Sequence, residues 1–361
     1  MAKHFRPLSI KDIRRETKDC ISVSFQIPDS WKEEFIYEAG QNITLRAQIG
    51  EEEVRRSYSV CSSPHENELR IAIKKVKEGK FSTFAFDTFQ PGQTFDVLPP
   101  TGNFILNLVP GSKTHYVAFA AGSGITPVIS ILKNILQREP ESQFSLIYGN
   151  QSRNSIIFLE ELEDLKNEYV EKFQLIHVFS REKMEAPMLE GRIDQLKCDL
   201  IFKSLIPFRA NQEFLLCGPA PMIFSLRDWL ILHSVEERKI HFELFSDPGE
   251  LMDHEKKNTE EKAIVIQEKS LVTIRLDGVS REFQIPAHGP TILEAAIQAG
   301  ADLPYACRAG VCATCRAKLV KGKVTMDQNY SLAEEELEQG FILACQAHPA
   351  SPTLLIDFDI R

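Results

Sequence analysis

The sequence has no surplus of positive charge: 42 Lys and Arg stand against 51 Asp and Glu, a formal net charge of −9. A nucleic-acid binder needs a basic face to displace counterions from phosphates, so that class is excluded, and an acidic surface suits a protein that docks other proteins. The N-terminus, Met1-Ala2-Lys3-His4-Phe5-Arg6, has no apolar h-region. No secretion is therefore expected, and the eight cysteines are read in a reducing cytoplasm, where they favour metal binding over disulfides. A membrane-length apolar run is also missing. One stretch, Thr114 to Leu132, runs 19 residues without Lys, Arg, Asp or Glu, but Gly122, Gly124 and Pro127 divide it into a strand, a turn and a helix start. The G-x-G-x-x-G fingerprint is absent, so no standard Rossmann dinucleotide site is read from the glycines. The nine histidines form no E-x-x-H pair, which leaves no oxygen-activating carboxylate site within the chain.

What is present starts with cysteine. Cys307, Cys312 and Cys315 stand at C-x4-C-x2-C spacing, and Cys345 follows after 29 intervening residues. This is the plant-type ligand pattern of a 2Fe-2S cluster. Three thiolates converge from so short a loop only if small residues separate them, and Ala306, Ala309, Gly310 and Ala313 do so. Gly310 also lets a backbone N–H approach sulfur closely. A zinc site would more naturally show two C-x2-C or Cys/His pairs, and a disulfide framework belongs to short secreted chains. Cys20, Cys61 and Cys198 have no partner spacing and are read as packing residues.

A chain of 361 residues with 43% hydrophobic content has material for three cores. Residues 1–109 predict a small all-β domain closed as an antiparallel barrel, with strands at Ile21 to Ile27, Asn42 to Arg46, Leu69 to Lys74 and Thr94 to Leu98. Within it lie Arg56, Tyr58 and Ser59, then Ile73 and Lys74, then Gly79, Lys80 and Ser82. An aromatic ring beside an arginine suits a flavin, the ring packing on the isoalloxazine and the guanidinium pairing with a phosphate. Gly79 and Ser82 would add donors for a pyrophosphate. Taken alone, the R-x-Y-S run reads more readily as a cross-strand aromatic beside a surface arginine.

Residues 112–245 predict an α/β domain with a parallel sheet. His115 to Ala120 runs as a buried strand into Gly122, Gly124, Thr126 and Pro127, and Val128, Ile131, Leu132, Ile135 and Leu136 continue at helical spacing. Pro127 in the first helical turn leaves free N–H groups facing a phosphate. Further strands at Phe144 to Tyr148, Phe173 to Phe179 and Glu213 to Leu216 end in small or polar residues, where an open parallel sheet places its ligand. Ser180 and Arg181 form a donor pair for the 2′-phosphate of NADPH, or a solvated pair in a charged loop. Cys217, Gly218 and Pro219 would bring a thiol near a nicotinamide edge, with a buried structural cysteine as the plainer alternative.

Residues 246–262 are charged and aperiodic and are read as a linker. Residues 263–361 predict an α+β domain. It has a hairpin (Leu271 to Leu276, Asp277-Gly278, Val279 to Ile285), a helix capped by Thr291 and Glu294 and ended at Gly300, and a final strand from Thr353 to Phe358. The acidic run Glu334, Glu335, Glu336, Glu338 is expected to be a solvated helix face, with a partner-facing role as the alternative.

The order Arg56-x-Tyr58-Ser59, Gly122-x-Gly124-x-Thr126-Pro127, Cys217-Gly218-Pro219 and the plant-type cysteines resembles the ferredoxin-NADP reductase superfamily with a ferredoxin domain fused at the C-terminus, over essentially the whole chain. Asp302 to Cys307, Met326 to Leu332, and Glu141 to Phe144 ahead of Tyr148-Gly149-Asn150 resemble the reductase subunits of phenylacetyl-CoA epoxidases within it. The resemblance implies FAD, a nicotinamide nucleotide, a β-grasp ferredoxin domain and a separate diiron oxygenase as electron acceptor. It places Phe245 against the flavin, and relatives often carry arginine where this chain has Lys80. The chemistry agrees: NADPH, with NADH as the alternative, yields two electrons as a hydride, the cluster takes one, and flavin converts between the two. Plant-type clusters sit near about −400 mV, low enough to supply an oxygen-activating iron site. The alternatives are a reductase for a Rieske dioxygenase or other hydroxylase, and a stand-alone redox carrier.

Overall fold

The computed structural model describes residues 3–245, 269–286 and 289–360; the expected linker at 246–262 lies outside the described residues. The first third forms an antiparallel sheet of β1 (Arg6–Thr17), β2 (Cys20–Gln26), β3 (Asn42–Ile49), β4 (Glu52–Ser59), β5 (Leu69–Lys74) and β6 (Thr94–Thr101), in the order β4-β3-β6-β1-β2-β5. A bridge from Val60, just past β4, to Ile71 in β5 closes the two edges into a barrel. Its interior is filled by Leu8, Val23, Ile43, Leu45, Val60, Ile71 and Ile73, inward positions of a period-two alternation. The all-β expectation needs one correction. Lys80–Thr88 forms helix α1, because Phe81, Phe84 and Ala85 fall at helical spacing and Phe81 and Ala85 plug the barrel end.

The middle third is a parallel sheet of β7 (His115–Ala121), β8 (Gln143–Asn150), β9 (Phe173–Phe179), β10 (Gln212–Gly218) and β11 (Ile240–Leu244), in the order β11-β10-β7-β8-β9. Helices α2 (Ile125–Arg138), α3 (Leu159–Glu168), α4 (Gln195–Ser204) and α5 (Ala220–Leu232) cover it. Both faces are buried, which is why β7 reads as a nearly continuous apolar run. The order turns at β7, so the carboxyl ends of β7 and β10 flank a switch point.

The last part pairs β12 (Lys269–Leu276) and β13 (Val279–Pro286) as the expected hairpin, turning at Asp277-Gly278, both with positive φ. Helix α6 (Ile292–Gln298) follows, and Thr291 and Glu294 make the reciprocal cap read from the sequence. Then come β14 (Arg316–Lys321), β15 (Val324–Met326), α7 (Glu334–Glu338), β16 (Phe341–Leu343), β17 (Ala347–Pro349) and β18 (Thr353–Asp357). The main sheet has the order β13-β12-β18-β14-β16, with α6 packed on its apolar face. The solvated reading of the acidic run is corrected at Glu336. Its carboxylate pairs with Arg316 at 2.7 Å and accepts from Asn103 of the barrel at 2.6 Å. Among the described residues no helix is long and apolar enough to cross a membrane. Cys20, Cys61 and Cys198 are buried, in line with packing.

Candidate functional site

The site lies where the carboxyl ends of the parallel strands meet the barrel. Gly122 and Gly124 form a tight turn between β7 and α2, and Gly122 has φ 54°. A Cβ at Gly124 would overlap the carbonyl oxygen of Cys217, so the glycine is required for β7 and β10 to close together there. Tyr148 donates to the Gly122 carbonyl at 2.9 Å, and Thr126 donates to the Ser123 carbonyl at 3.0 Å. The Lys74 ammonium lies 3.7 Å from where a Gly122 Cβ would stand, which brings the barrel's β5 to the same turn. Ile73 beside it points into the barrel core. Pro127 is buried in the first turn of α2.

Cys217 is fully buried, and burial pushes its thiol well above the ordinary range. Gly218 accepts the backbone N–H of Phe245 at 3.0 Å, and Pro219 caps α5. Phe245 packs on the apolar core that contains Cys217. Opposite stands a residue that motif reading missed. Glu243 pairs in register with Cys217 and accepts the Ser59 hydroxyl at 2.8 Å. Burial pushes its carboxyl up to about 7, opposed by hydrogen bonds from Ser59 and Asn42 and reinforced by the nearby Cys312. A carboxyl poised near neutrality beside a hydroxyl can hold or release a proton at that spot. The available signal was a lone acid in the apolar strand Ile240–Leu244.

The flavin motif is distributed along β4, β5 and α1. Tyr58 packs against Phe81 with ring centroids 5.9 Å apart, and Arg56 is exposed at the barrel surface. Gly79 caps α1 without a side-chain hydrogen bond, which leaves N–H groups of the first turn available to an anion. Ser82 is less available than expected, because its hydroxyl accepts from Val76 N at 3.3 Å and lies 3.4 Å from the Gly79 carbonyl. Lys80 is paired with Glu52. On the nucleotide side, Ser180 and Arg181 are exposed beyond β9, and their N–H groups are tied to the carbonyls of Asn150 and Gln151. Arg153 is held beside them, its N–H donating to Glu182 at 2.9 Å. Asn150 Nδ2 is buried without a hydrogen-bond partner at the end of β8, an orphan donor that suits a bound nucleotide.

The cysteines stand in two hydrogen-bonded pairs, Cys307 with Cys312 and Cys315 with Cys345. Two thiols per pair match the two ligands that each iron of a 2Fe-2S cluster takes. Within the pairs, the hydrogen bond from Cys307 lowers the Cys312 thiol and that from Cys315 lowers the Cys345 thiol, while the two donors are raised. Backbone N–H groups point at sulfur: Ala309 N lies 3.3 Å from Cys307 Sγ, and Gly310 donates to Cys345. The loop turns through left-handed conformations at Arg308, Gly310 and Ala313. A Cβ at Gly310 would lie 3.0 Å from the Gln328 carbonyl oxygen, so a side chain there would crowd the loop. Cys312, Cys315 and Cys345 are buried and Cys307 is partly exposed.

The loop abuts the site just described. Thr314 lies 3.5 Å from Thr44 of β3, which is 2.9 Å from Ser57 of β4. Ala309 and Val311 pack with Met222 and Phe224 of α5, and the rings of Tyr330 and Phe224 are 6.0 Å apart. Ser59, Glu243, Cys217 and Cys312 therefore share one seam.

Comparison with known proteins agrees with this geometry. Residues 7–105 match the oxidoreductase FAD-binding domain family, 119–228 the oxidoreductase NAD-binding domain family, and 274–350 the 2Fe-2S iron-sulfur cluster binding domain family. The chain is 40% identical to a subunit of the 1,2-phenylacetyl-CoA epoxidase of Escherichia coli (strain K12), over 99% of this chain and 98% of that one. It is 32% identical to the ferredoxin reductase component of 3-ketosteroid-9-alpha-monooxygenase of Rhodococcus rhodochrous, over 97% and 96%. Phthalate dioxygenase reductase, described as a modular structure for electron transfer from pyridine nucleotides to [2Fe-2S], has the same fold at 23% identity and a TM-score of 0.57, covering 98% of both chains. A sheet switch point set against the barrel, a four-cysteine loop beside it, and whole-length identity to the epoxidase protein lead to one conclusion: the chain belongs to the ferredoxin-reductase superfamily with a C-terminal 2Fe-2S domain, in the family of the phenylacetyl-CoA epoxidase reductases.

Proposed function

We propose that this chain takes electrons from NADPH and delivers them to the diiron oxygenase of a phenylacetyl-CoA epoxidase. The observation that carries it is the shared seam in which Ser59, Glu243 and Cys217 of the flavin and nucleotide side meet Cys312 of the cluster loop. The module limits follow the sequence: 1–109 for FAD, 112–245 for the nucleotide, 246–262 as linker and 263–361 for the cluster. Arg56, Tyr58, Ser59, Ile73, Lys74, Gly79, Lys80, Ser82 and Phe245 would hold FAD. Gly122, Gly124, Thr126, Pro127, Ser180, Arg181, Cys217, Gly218 and Pro219 would hold the nicotinamide nucleotide, and Cys307, Cys312, Cys315 and Cys345 the cluster. When bound, flavin accepts a hydride and releases electrons singly, and the cluster carries one at a time.

The chain's own residues supply the setting. Gly124 allows β7 and β10 to close, and Glu243, in register with Cys217, reaches the Ser59 hydroxyl of the barrel. Burial holds the Cys217 thiol neutral. Glu243 holds or passes a proton at the Ser59 hydroxyl.

Two experiments test the reading. Arg181→Ala is expected to raise the KM for NADPH by about tenfold or more with NADH little changed, as losing a charge-assisted contact costs ~1.5–3 kcal/mol. A wild-type preference for NADH removes that assignment. With purified oxygenase subunits, NADPH and O2, the epoxide of phenylacetyl-CoA is expected by mass analysis, and none when the chain acts alone. The 32% identity to a ketosteroid monooxygenase reductase favours a second reading, in which the same transfer serves another oxygenase. Normal cytochrome c reduction without epoxide would select it.

A further inference from the structure

The pleat of β4 places Arg55, Ser57 and Ser59 on one face, and each reaches a residue distant in sequence. Ser59 bonds Glu243, Ser57 shares Thr44 with Thr314, and Arg55 reaches the segment that leads into the cluster loop. Arg55 precedes the R-x-Y-S motif and belongs to none of the binding sets above.

Only 5% of the Arg55 side chain is exposed, and its guanidinium is engaged on all sides. Nε donates to Glu53 at 2.8 Å, Nη1 to the Leu303 carbonyl at 3.1 Å and Nη2 to Asp302 at 2.9 Å. The rings of Tyr305 and Phe5 lie 4.3 Å and 5.0 Å from its centre, and Arg308 stacks on the same Tyr305 at 4.6 Å. Contacts thus run unbroken from β4 through Asp302, Leu303 and Tyr305 to the residues flanking Cys307. A planar fork donates to a carboxylate and a carbonyl while stacking on a ring, which a lysine ammonium cannot do. The guanidinium and its bond to the Leu303 carbonyl are buried, which strengthens that bond, while the carboxylates of Glu53 and Asp302 reach solvent.

We propose that Arg55 is a positioning residue for the internal electron transfer, holding the Asp302-to-Tyr305 approach of the cluster loop against the barrel and so setting the separation of flavin and cluster. This rests on the reading that the flavin reduces the cluster of its own chain. In that step the two-electron-reduced flavin gives up one electron, the oxidised cluster gains it, and the flavin keeps the second for the next transfer. Arg55 touches neither group and acts through distance and orientation alone.

The test is anaerobic stopped-flow mixing of the holoprotein with NADPH. In Arg55→Ala, flavin content, cluster absorption and the rate of flavin bleaching are expected to match wild type. Cluster reduction is expected to slow severalfold, because electron transfer weakens exponentially with the separation that Arg55 sets. Arg55→Lys is expected to recover only part of the rate. Backbone hydrogen exchange over residues 302–309 is expected to quicken in Arg55→Ala, with or without bound cofactors. A wild-type rate of cluster reduction in Arg55→Ala, with both groups present, overturns the proposal. Failure of the wild-type cluster to be reduced at all would instead remove the electron-transfer reading beneath it. If Arg55→Ala loses its flavin, Asp302→Ala combined with Tyr305→Leu removes the carboxylate and ring contacts from the other side of the seam. Slowed cluster reduction there supports the proposal, and an unchanged rate overturns it.

Discussion

The two seams that join the parts of this molecule differ in kind. Between barrel and parallel sheet, Cys61, Ala72 and Phe104 share one apolar core with Ile125, Val128, Ile131 and Leu132 of α2. Polar contacts accompany it, such as Ser130 donating to the Ser62 carbonyl at 2.6 Å, Ser59 donating to Glu243 at 2.8 Å, and Lys133 held between the partly exposed Glu66 and Glu161. The seam to the cluster-bearing part is mostly polar: Arg55 with Asp302, Asn103 with Ser331 and Glu336, Thr44 with Thr314, and His4 with Asp277 at 2.9 Å. Its apolar share is the small patch of Ala309, Val311 and Tyr330. Buried apolar area is recovered only by staying buried, whereas a hydrogen bond can be exchanged for one to water at a net ~1 kcal/mol. The first seam therefore behaves as part of a core, and the second as a joint between separable parts.

The strongest way to break this comparison is to remove the cluster. Cys312→Ser leaves three thiolates for two irons, so cytochrome c reduction is expected to fall to background. NADPH-driven ferricyanide reduction should persist, because the barrel and sheet keep their common core. Parallel loss of both activities would show that the polar seam is as obligatory as the apolar one. Next comes Phe104→Ala, which opens a cavity in the apolar seam and is expected to cost ~3–5 kcal/mol. Flavin release and loss of the sheet's circular dichroism should then coincide in a single shifted thermal transition. Two separate transitions would mean that barrel and sheet are not one cooperative unit.

Acid sharpens the comparison further. His115, buried at the start of β7 between Ser145 and Gln212, has its pKa lowered to about 4 by burial and by Arg209. A histidine with a depressed folded pKa is held neutral, so its contribution to stability is complete above about 6.5 and is lost as pH falls toward 4. The loss is on the order of 2 kcal/mol. Urea unfolding at pH 7 and pH 5 should show it in wild type and a flatter profile in His115→Gln. The smallest effect is expected from Asn103→Ala, which removes two hydrogen bonds of the polar seam at a cost of ~1 kcal/mol. It should leave the barrel's melting unchanged and act only on the attachment of the cluster-bearing part.

Much of this protein follows from local sequence. The C-x4-C-x2-C spacing with Cys345 is a local signal, and four of the five strands of the parallel sheet were legible as largely apolar runs, whereas β11, which carries Glu243, was not read. The capping of α6 by Thr291 and Glu294 is likewise a four-residue signal. Helix α1 was hidden because its residues were read as a phosphate-binding motif rather than for their period. Tertiary structure alone decided the pairing of Ser59 with Glu243, 184 positions apart, and of Arg55 with Asp302, 247 apart. Neither contact has a periodic or short-range signature, since each depends on how two separately encoded elements are carried together when the cores close. Residue spacing specified which groups the chain can hold; the closing of the seams specified which of its side chains stand between them.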